Sequence, residues 1–473
     1  MLKTRGPVHA VVTIIRLLGV VLFALPVLLL PHVAVAQTVV VGQNNPAVDV
    51  AAVQAAVNLG GSVLLVGTFD FGENDCVVLN SNRGCVLLQT DVDISGEIVG
   101  NATPVTTIRG GDWPFYSPLP DQMPPTQAGP KITVQYLHFD GAKGAAVNLA
   151  YTGGASIHNN RMTGLRGRLF LPGQFRRVGV HIGPLDSRPR TIIEITPLLV
   201  SGSIEVFDND IDSSGVEAST ATNSGAVLMA FIVGADIRIE NNVNVGCTRN
   251  CIGVFDELPD SAGRGSIVIA NNTIISDVKV GFTVPGKRAP IGVDVSFNFN
   301  RSLALDPSAH HVPVVITDNY IELNGRNSQG IIGAMNGTSV VGNTVVVHAD
   351  AAATTDLLST TGGILVAQSH EVVLRNWIMG EGWNAIRIGG NTFGLSRIDN
   401  VAQGNNISGF DAFSSDFLLD IAAASNTIIG NSGTVIDNGH DNNITGFKPV
   451  KGGVGEDVSD AEQYWHDVTE ALE

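Results

Sequence analysis

Apolar and polar residues alternate in short runs along most of the chain, and the runs recur around asparagines in a constant register. Around Asn272, apolar residues stand five and three places before (Ile267, Ile269) and two places after (Ile274). The same register surrounds Asn209 (Ile204, Val206, Ile211) and Asn319 (Val314, Ile316, Ile321). It fits Asn242 (Ile237, Ile239), where Asn244 takes the later apolar place. Weaker copies centre on Asn160, Asn343, Asn376, Asn405, Asn426 and Asn442, and successive asparagines differ by 49, 33, 30, 47, 24, 33, 29, 21 and 16 residues. Such spacing marks one supersecondary unit per repeat, with insertions at the two long steps. Within a unit, runs such as "IEV", "IRI" and "IVI" have the two-residue period and β-branched content of strands. Upstream of most copies a second strand opens with glycine, as in "GVHI" from Gly179, "GVDV" from Gly292 and "GILV" from Gly363. Asparagine suits the turn between strands, because it tolerates left-handed backbone angles and its amide can bond the next coil. Two or three short strands per turn, with no helix between them, predict a parallel β-helix.

The copies at Asn160, Asn376, Asn405, Asn426 and Asn442 extend to Asn-x-apolar-x-Gly. On that signature the stretch from Val39 to Phe447 resembles the right-handed parallel β-helix proteins of the pectate-lyase-like superfamily. The resemblance implies an all-β, right-handed, single-stranded parallel β-helix solenoid. It implies no single activity, since that superfamily holds lyases, hydrolases, esterases, epimerases and proteins without chemistry.

Residues 1–36 carry Lys3 and Arg5, a third basic residue at Arg16, the apolar run Leu17–Leu30 and "AVA" before Gln37, the layout of a secretory signal. No later segment reaches the roughly 18 apolar residues of a membrane span. The mature chain is therefore expected to be exported, to the periplasm or outside the cell, without a membrane span. A strand, a short capping helix over about 49–59 with Asp49 as its cap, and a second strand are expected next, the helix covering the open end of the solenoid. The β-helix is expected over 37–447, with inserted loops at 112–130, 164–178, 183–202 and 295–312. In the first of these the prolines argue against a central strand. Residues 448–473 read as an acidic helical tail that caps the far end.

Composition narrows the partners. Lysine and arginine number 27 against 44 acids, a formal net charge of −17, and loss of the leader removes three basic residues and no acid. Such a surface repels nucleic acid and anionic lipid. Four cysteines form two close couples, Cys76 with Cys85 and Cys247 with Cys251; pairing within each couple is the simplest of three connectivities in an oxidising compartment.

One stretch breaks the acidic trend: between 164 and 190, Arg166, Arg168, Arg176, Arg177, Arg188 and Arg190 face the single acid Asp186. Arginine forks suit carboxylate or sulfate, which points to an acidic polysaccharide; pairing with the chain's own acids is the alternative. The outward position after each asparagine gives Arg161, Asp210, Val243, Thr273, Tyr320, Thr344, Trp377, Asn406, Thr427 and Asn443. Equal positions one coil apart are about 4.8 Å apart, so Arg161 and Asp210 become candidate neighbours. Asp208, Asp210 and Asp212 beside Arg161 could hold Ca²⁺ and orient a uronate for proton abstraction; a solvated acidic strand is the alternative. Tyr320 and Trp377 are candidate stacking surfaces for sugar rings.

Active-site patterns of the named enzymes are mostly missing. Gly439-His440-Asp441 and Arg387-Ile388-Gly389 only approach a polygalacturonase, and neither supplies the paired carboxylates of inverting hydrolysis. Arg188-Pro189-Arg190 is a faint match to a pectate lyase, and Asp306-Pro307 followed by His310-His311 is a mis-spaced match to an alginate epimerase. Two classes remain. One is an exported protein that binds or processes an acidic polysaccharide, with lyase- or epimerase-type chemistry open. The other is a non-catalytic surface or structural β-helix, such as an adhesin module. Oligomeric state stays open.

Overall fold

The computed structural model describes residues 37–449 apart from 73–75, 80–81, 101–102, 119–127, 166–167, 172–173, 183–199, 215–221, 231–234, 248–249, 256–264, 278–289, 297–311, 325–327, 349–361, 383, 390–396, 411–414, 420–422 and 447. The expected leader and all but the first two residues of the expected tail therefore lie outside the described residues, as do Arg166, Arg188, Arg190, His310 and His311.

Three long sheets wind around one core. Among the described residues, sheet 1 has 14 strands, from Thr38–Val41 to Asn443–Thr445; sheet 2 has 11, from Thr68–Asp70 to Asn406–Ser408; sheet 3 has 15, of which all but Arg168–Leu171 form one path from Val77–Leu79 to Lys448–Pro449. One coil runs Val314–Thr317 in sheet 1, Tyr320–Asn324 in sheet 2 and Gln329–Ala334 in sheet 3, then re-enters sheet 1 at Ser339–Val341. Apart from Val77–Leu79, which pairs antiparallel with Asn82–Leu87, the strands along these paths pair in parallel with their equivalents in neighbouring coils, as Ile267↔Val314 and Thr273↔Tyr320 illustrate. This is a three-sheet parallel β-helix, the architecture that the strand period predicts.

Alternation decides what each sheet presents. In sheets 1 and 2 every second side chain enters the core: Ile267, Ile269, Ile274, Ile316 and Ile321 are all buried. Sheet 3 strands such as Ile291–Ser296 and Gln329–Ala334 are buried along their whole length, the pattern of a sheet covered on both faces. Their opening glycines are required by space. A Cβ at Gly330 would collide with Val345 and the Gly363 carbonyl.

The corner between sheets 1 and 2 holds an asparagine ladder. Asn272, 1% exposed, donates Nδ2 to the Ile239 carbonyl at 2.8 Å and to Asn319 Oδ1 at 2.9 Å. Its own Oδ1 accepts the backbone N–H and Nδ2 of Asn242, each at 3.0 Å. The chain of amides runs from Asn160 through Asn209, Asn242, Asn272, Asn319, Asn343, Asn376 and Asn405 to Asn431. The residue ahead of each rung turns the corner in the left-handed region, with φ of 54° at Asn159 and Asp208, 56° at Asn271, 55° at Asp318 and 52° at Arg375.

Four expectations change. Asn426 and Asn442 do not continue this ladder: they form a second one with Asn400 at the opposite end of the sheet 1 strands, each amide 2.9–3.0 Å from the next. Thr427 and Asn443 consequently begin sheet 1 strands instead of sheet 2 strands. The proline-rich stretch contains the strand Trp113–Tyr116, which lies between neighbours in sheet 3; its register skips Pro114, and Phe115 packs in the core edge-on to Phe71 and Phe139. The arginine-rich insert is an antiparallel hairpin, Arg168–Leu171 with Gln174–Ile182, rather than a loop. Finally, helix α1 spans Pro46–Asn58 with Asn45 as its cap and proline in its first turn. Asp49 is instead buried, and its carboxylate accepts the N–H groups of Gln43, Asn45 and Asp70, tying the helix to the first coil. Val50, Val53 and Val57, spaced to share one face of α1, enter the core.

Cys76 is bonded to Cys85 and Cys247 to Cys251. Among the described residues no helix is long and apolar enough to cross a membrane.

Asn244 is the contrast to the ladder. It points inward in sheet 2 between Ile211 and Ile274, fully buried, and neither amide atom has a hydrogen-bond partner among the described residues. Burying an amide without partners costs about 1–3 kcal/mol on mutational scales. Asn244→Ile should therefore raise the thermal unfolding midpoint. Asn272→Ala, which strands the Asn242 donors, should lower it.

Candidate functional site

Side chains with chemistry gather on the outer face of sheet 2, in the coils at its N-terminal half. The parallel register places His138, Arg161 and Asp210 at one position in three successive coils. A second row two residues on carries Asp70, Arg109, Asp140 and Thr163, also on successive coils. The two rows form a charged block: acid and base alternate through Asp70, Arg109 and Asp140, while the other row runs from the bases His138 and Arg161 to Asp210.

Arg161 Nε lies 3.8 Å from Asp210 Oδ2, with both side chains 55% exposed. The neighbours expected from the repeat register are neighbours in space, even though 49 residues of sequence separate them. So exposed a pair contributes about 0–1 kcal/mol. The guanidinium is therefore easily released to another carboxylate.

His138 is half-buried, and its Nε2 is 2.8 Å from Thr163 Oγ1. Its pKa is lowered, first by burial and then by the positive charges of Arg161 and Arg109, against the opposing pull of Asp140 and Asp210. The lowered pKa favours the neutral imidazole, which keeps a lone pair on one ring nitrogen, beside a cation suited to a carboxylate. Sequence reading centred on asparagine passes over this residue. In its coil Leu137 takes the ladder position and the corner residue is Tyr136, at φ 55°. The remaining register was legible all the same: Ile132 and Val134 before, Phe139 after and Gly141 at the turn.

The other candidate residues disperse. Asp208 sits in the left-handed corner turn at φ 54°, and Asp212 turns to the end of its strand, where its carboxylate accepts the backbone N–H of Ser214 at 2.8 Å and the Ser214 hydroxyl. Among the described residues no three His, Cys, Asp or Glu side chains stand close enough to share a metal ion. Asp208, Asp210 and Asp212, at a corner, a strand start and a strand end, thus do not form the metal-holding group expected of them. Arg168 and Arg176 lie opposite each other in the hairpin, and Arg177 pairs in register with Ser224 of the next sheet 3 strand, away from the sheet 2 block. Tyr320 and Trp377 stay in the same outward row as Arg161 and Asp210, 39% and 52% exposed, with Thr344 between them. The Tyr320 hydroxyl donates to Glu322 Oε2 at 2.8 Å, and this bond, together with partial burial, raises the phenol pKa.

Fold and site together define a three-sheet parallel β-helix with a charged, histidine-bearing outer face. No family model matches the chain, and no curated protein matches its sequence. Solved structures with similar architecture include the A-module of the mannuronan C-5 epimerase AlgE6 from Azotobacter vinelandii, 13% identical, over 86% of this chain and 95% of that one, with a TM-score of 0.37. The Dettilon tailspike protein is 11% identical over 86% of this chain and 68% of its own, with a TM-score of 0.42. The enzymatically active domain of bacteriophage CBA120 tailspike protein 2 is 12% identical over 83% and 48%, with a TM-score of 0.27. At these values no residue role passes from them to this chain.

The electrostatics of His138 are directly measurable. In an NMR titration its midpoint should lie below the ordinary histidine value of about 6.5. Arg161→Gln should move the midpoint up, since a repelling charge is lost, and Asp210→Asn should move it further down.

Proposed function

We propose that this chain is an exported protein that binds an acidic polysaccharide along the outer face of sheet 2 and abstracts the C5 proton of a bound uronate. The observation that carries the reading is the juxtaposition of a neutral-biased His138 with Arg161 on the adjacent strand. A guanidinium that clamps the uronate carboxylate makes the neighbouring C5–H more acidic, and a lone pair within reach can then accept the proton. In an elimination, the C5–H electrons form the C4=C5 bond, the C4–O bond breaks, and the departing oxygen takes a proton from solvent while His138 returns its own. In an epimerisation, a proton is delivered to the opposite face of C5 instead. Asp210 holds Arg161 in place until a substrate carboxylate displaces it, and Thr163 fixes the imidazole. The two disulfides suit an oxidising, extracytoplasmic compartment.

The test is an assay with polymers of mannuronate, guluronate and galacturonate, following ultraviolet absorbance of unsaturated ends and exchange of C5 hydrogen with deuterated water. His138→Ala should lower the rate by about 10²–10⁴-fold. Arg161→Gln should weaken binding of the uronate and slow turnover together. Because a base must be unprotonated and the His138 pKa is lowered, the rate should rise with pH through a midpoint below about 6.5 and stay level above it. Absence of both signals alongside retained glycan binding would favour the non-catalytic surface module. Absence of binding as well would end the polysaccharide reading.

A further inference from the structure

The outer face of sheet 2 changes character along its length. Beyond Asp210 and Asp212, the first outward row reads Val243, Thr273, Tyr320, Thr344, Trp377 and Asn406. The second reads Val245, Ile275, Glu322, Val346, Met379 and Ser408. None of these twelve positions is arginine or lysine. Three of the chain's exposed large apolar side chains fall in the first row: Val243 at 42%, Tyr320 and Trp377. A carboxylate stands among them, since Glu322 is fixed by the Tyr320 hydroxyl at 2.8 Å and by His348 Nε2 at 3.5 Å.

We infer that this second half is a set of subsites for uncharged sugars, so that the ligand is a polysaccharide of mixed acidic and neutral residues lying parallel to the solenoid axis. The inference rests on the proposed function for the acidic end of the ligand. A uronate is attracted over Arg161 and Arg109. It is repelled beside Glu322, where neither outward row holds an arginine or lysine and the basic partner is the imidazole of His348 at 3.5 Å. The C–H face of a neutral pyranose instead buries apolar area on the Tyr320 and Trp377 rings, with Thr344, Asn406 and Ser408 at hand for its hydroxyls. Arg161 and Trp377 are six coil steps apart, about 29 Å at the strand spacing, and Tyr320 and Trp377 are two steps apart, about 10 Å. Both lengths suit several consecutive sugars of an extended chain. A homopolymer of uronate satisfies only the first part of such a track.

The test compares two decasaccharides by calorimetry and tryptophan fluorescence: one alternating glucuronate with N-acetylglucosamine, the other galacturonate throughout. The full chain is used, with Trp377→Ala, Tyr320→Ala, Glu322→Gln and Arg161→Gln variants. The mixed oligosaccharide should bind more tightly than the uniform one. Its affinity should fall about tenfold or more in Trp377→Ala, which corresponds to about 1.4 kcal/mol, and Glu322→Gln should improve the uniform oligomer selectively. Tighter binding of the galacturonate oligomer, or indifference of the mixed one to Trp377→Ala and Tyr320→Ala, would overturn the inference. If binding then still depends on Arg161, the acidic-polysaccharide reading survives by itself. If neither oligosaccharide binds, both fall.

Discussion

The hydrogen-bonded amide ladder at the corner between sheets 1 and 2 is the constraint on which the remaining structure depends. Each corner must bury a turn, and a buried turn exposes backbone groups that sheet pairing cannot satisfy. From Asn160 to Asn431 an asparagine on each coil resolves this: one amide hydrogen reaches back to the previous coil's carbonyl, another reaches the next asparagine, and the oxygen receives two donors. The ladder thereby fixes the register between coils at one point per turn. Ile and Val fill the space on either side. Asn244 shows the rule by breaking it, since an amide two residues past the rung at Asn242 finds apolar neighbours and no partners among the described residues.

Because the register is fixed at that corner, the outer face of sheet 2 becomes a regular grid. Residues from separate coils acquire definite neighbours about 4.8 Å apart. The charged block uses this regularity: Asp70, Arg109 and Asp140 alternate along one row, and His138, Arg161 and Asp210 stand side by side along the next. Exposed pairs of this kind add little stability. Their consequence is electrostatic, in the lowered pKa of His138 and in a guanidinium held weakly enough to change partners. Further along the same grid, charge gives way to Val243, Tyr320 and Trp377 around a single carboxylate, so one flat surface presents two kinds of chemistry in sequence order.

Much of the fold was legible as period, and the departures have local causes. Asparagine serves two corners, so Asn426 and Asn442 looked like further rungs of one ladder while belonging to another. Pro114 argued against a central strand, yet Phe115 had a place between Phe71 and Phe139, and core packing outweighed one missing donor. His138 follows no asparagine, because Leu137 holds the ladder position in its coil, although the apolar register around it is intact. Arg161, Asp210, Tyr320 and Trp377 are legible in the sequence, because each follows an asparagine of the ladder.

The sequence by itself determined the alternation of inward and outward side chains, the recurring turn residue, the cysteine couples and the acidic balance. All of these are properties of a residue and its near neighbours. Tertiary structure alone decided which corner each asparagine occupies, whether the three aspartates converge, and that a histidine 23 residues before Arg161 shares its row. The segments between rungs differ in length, so spacing cannot assign coil neighbours. Pairing between strands and the packing of the core settle which coil lies against which.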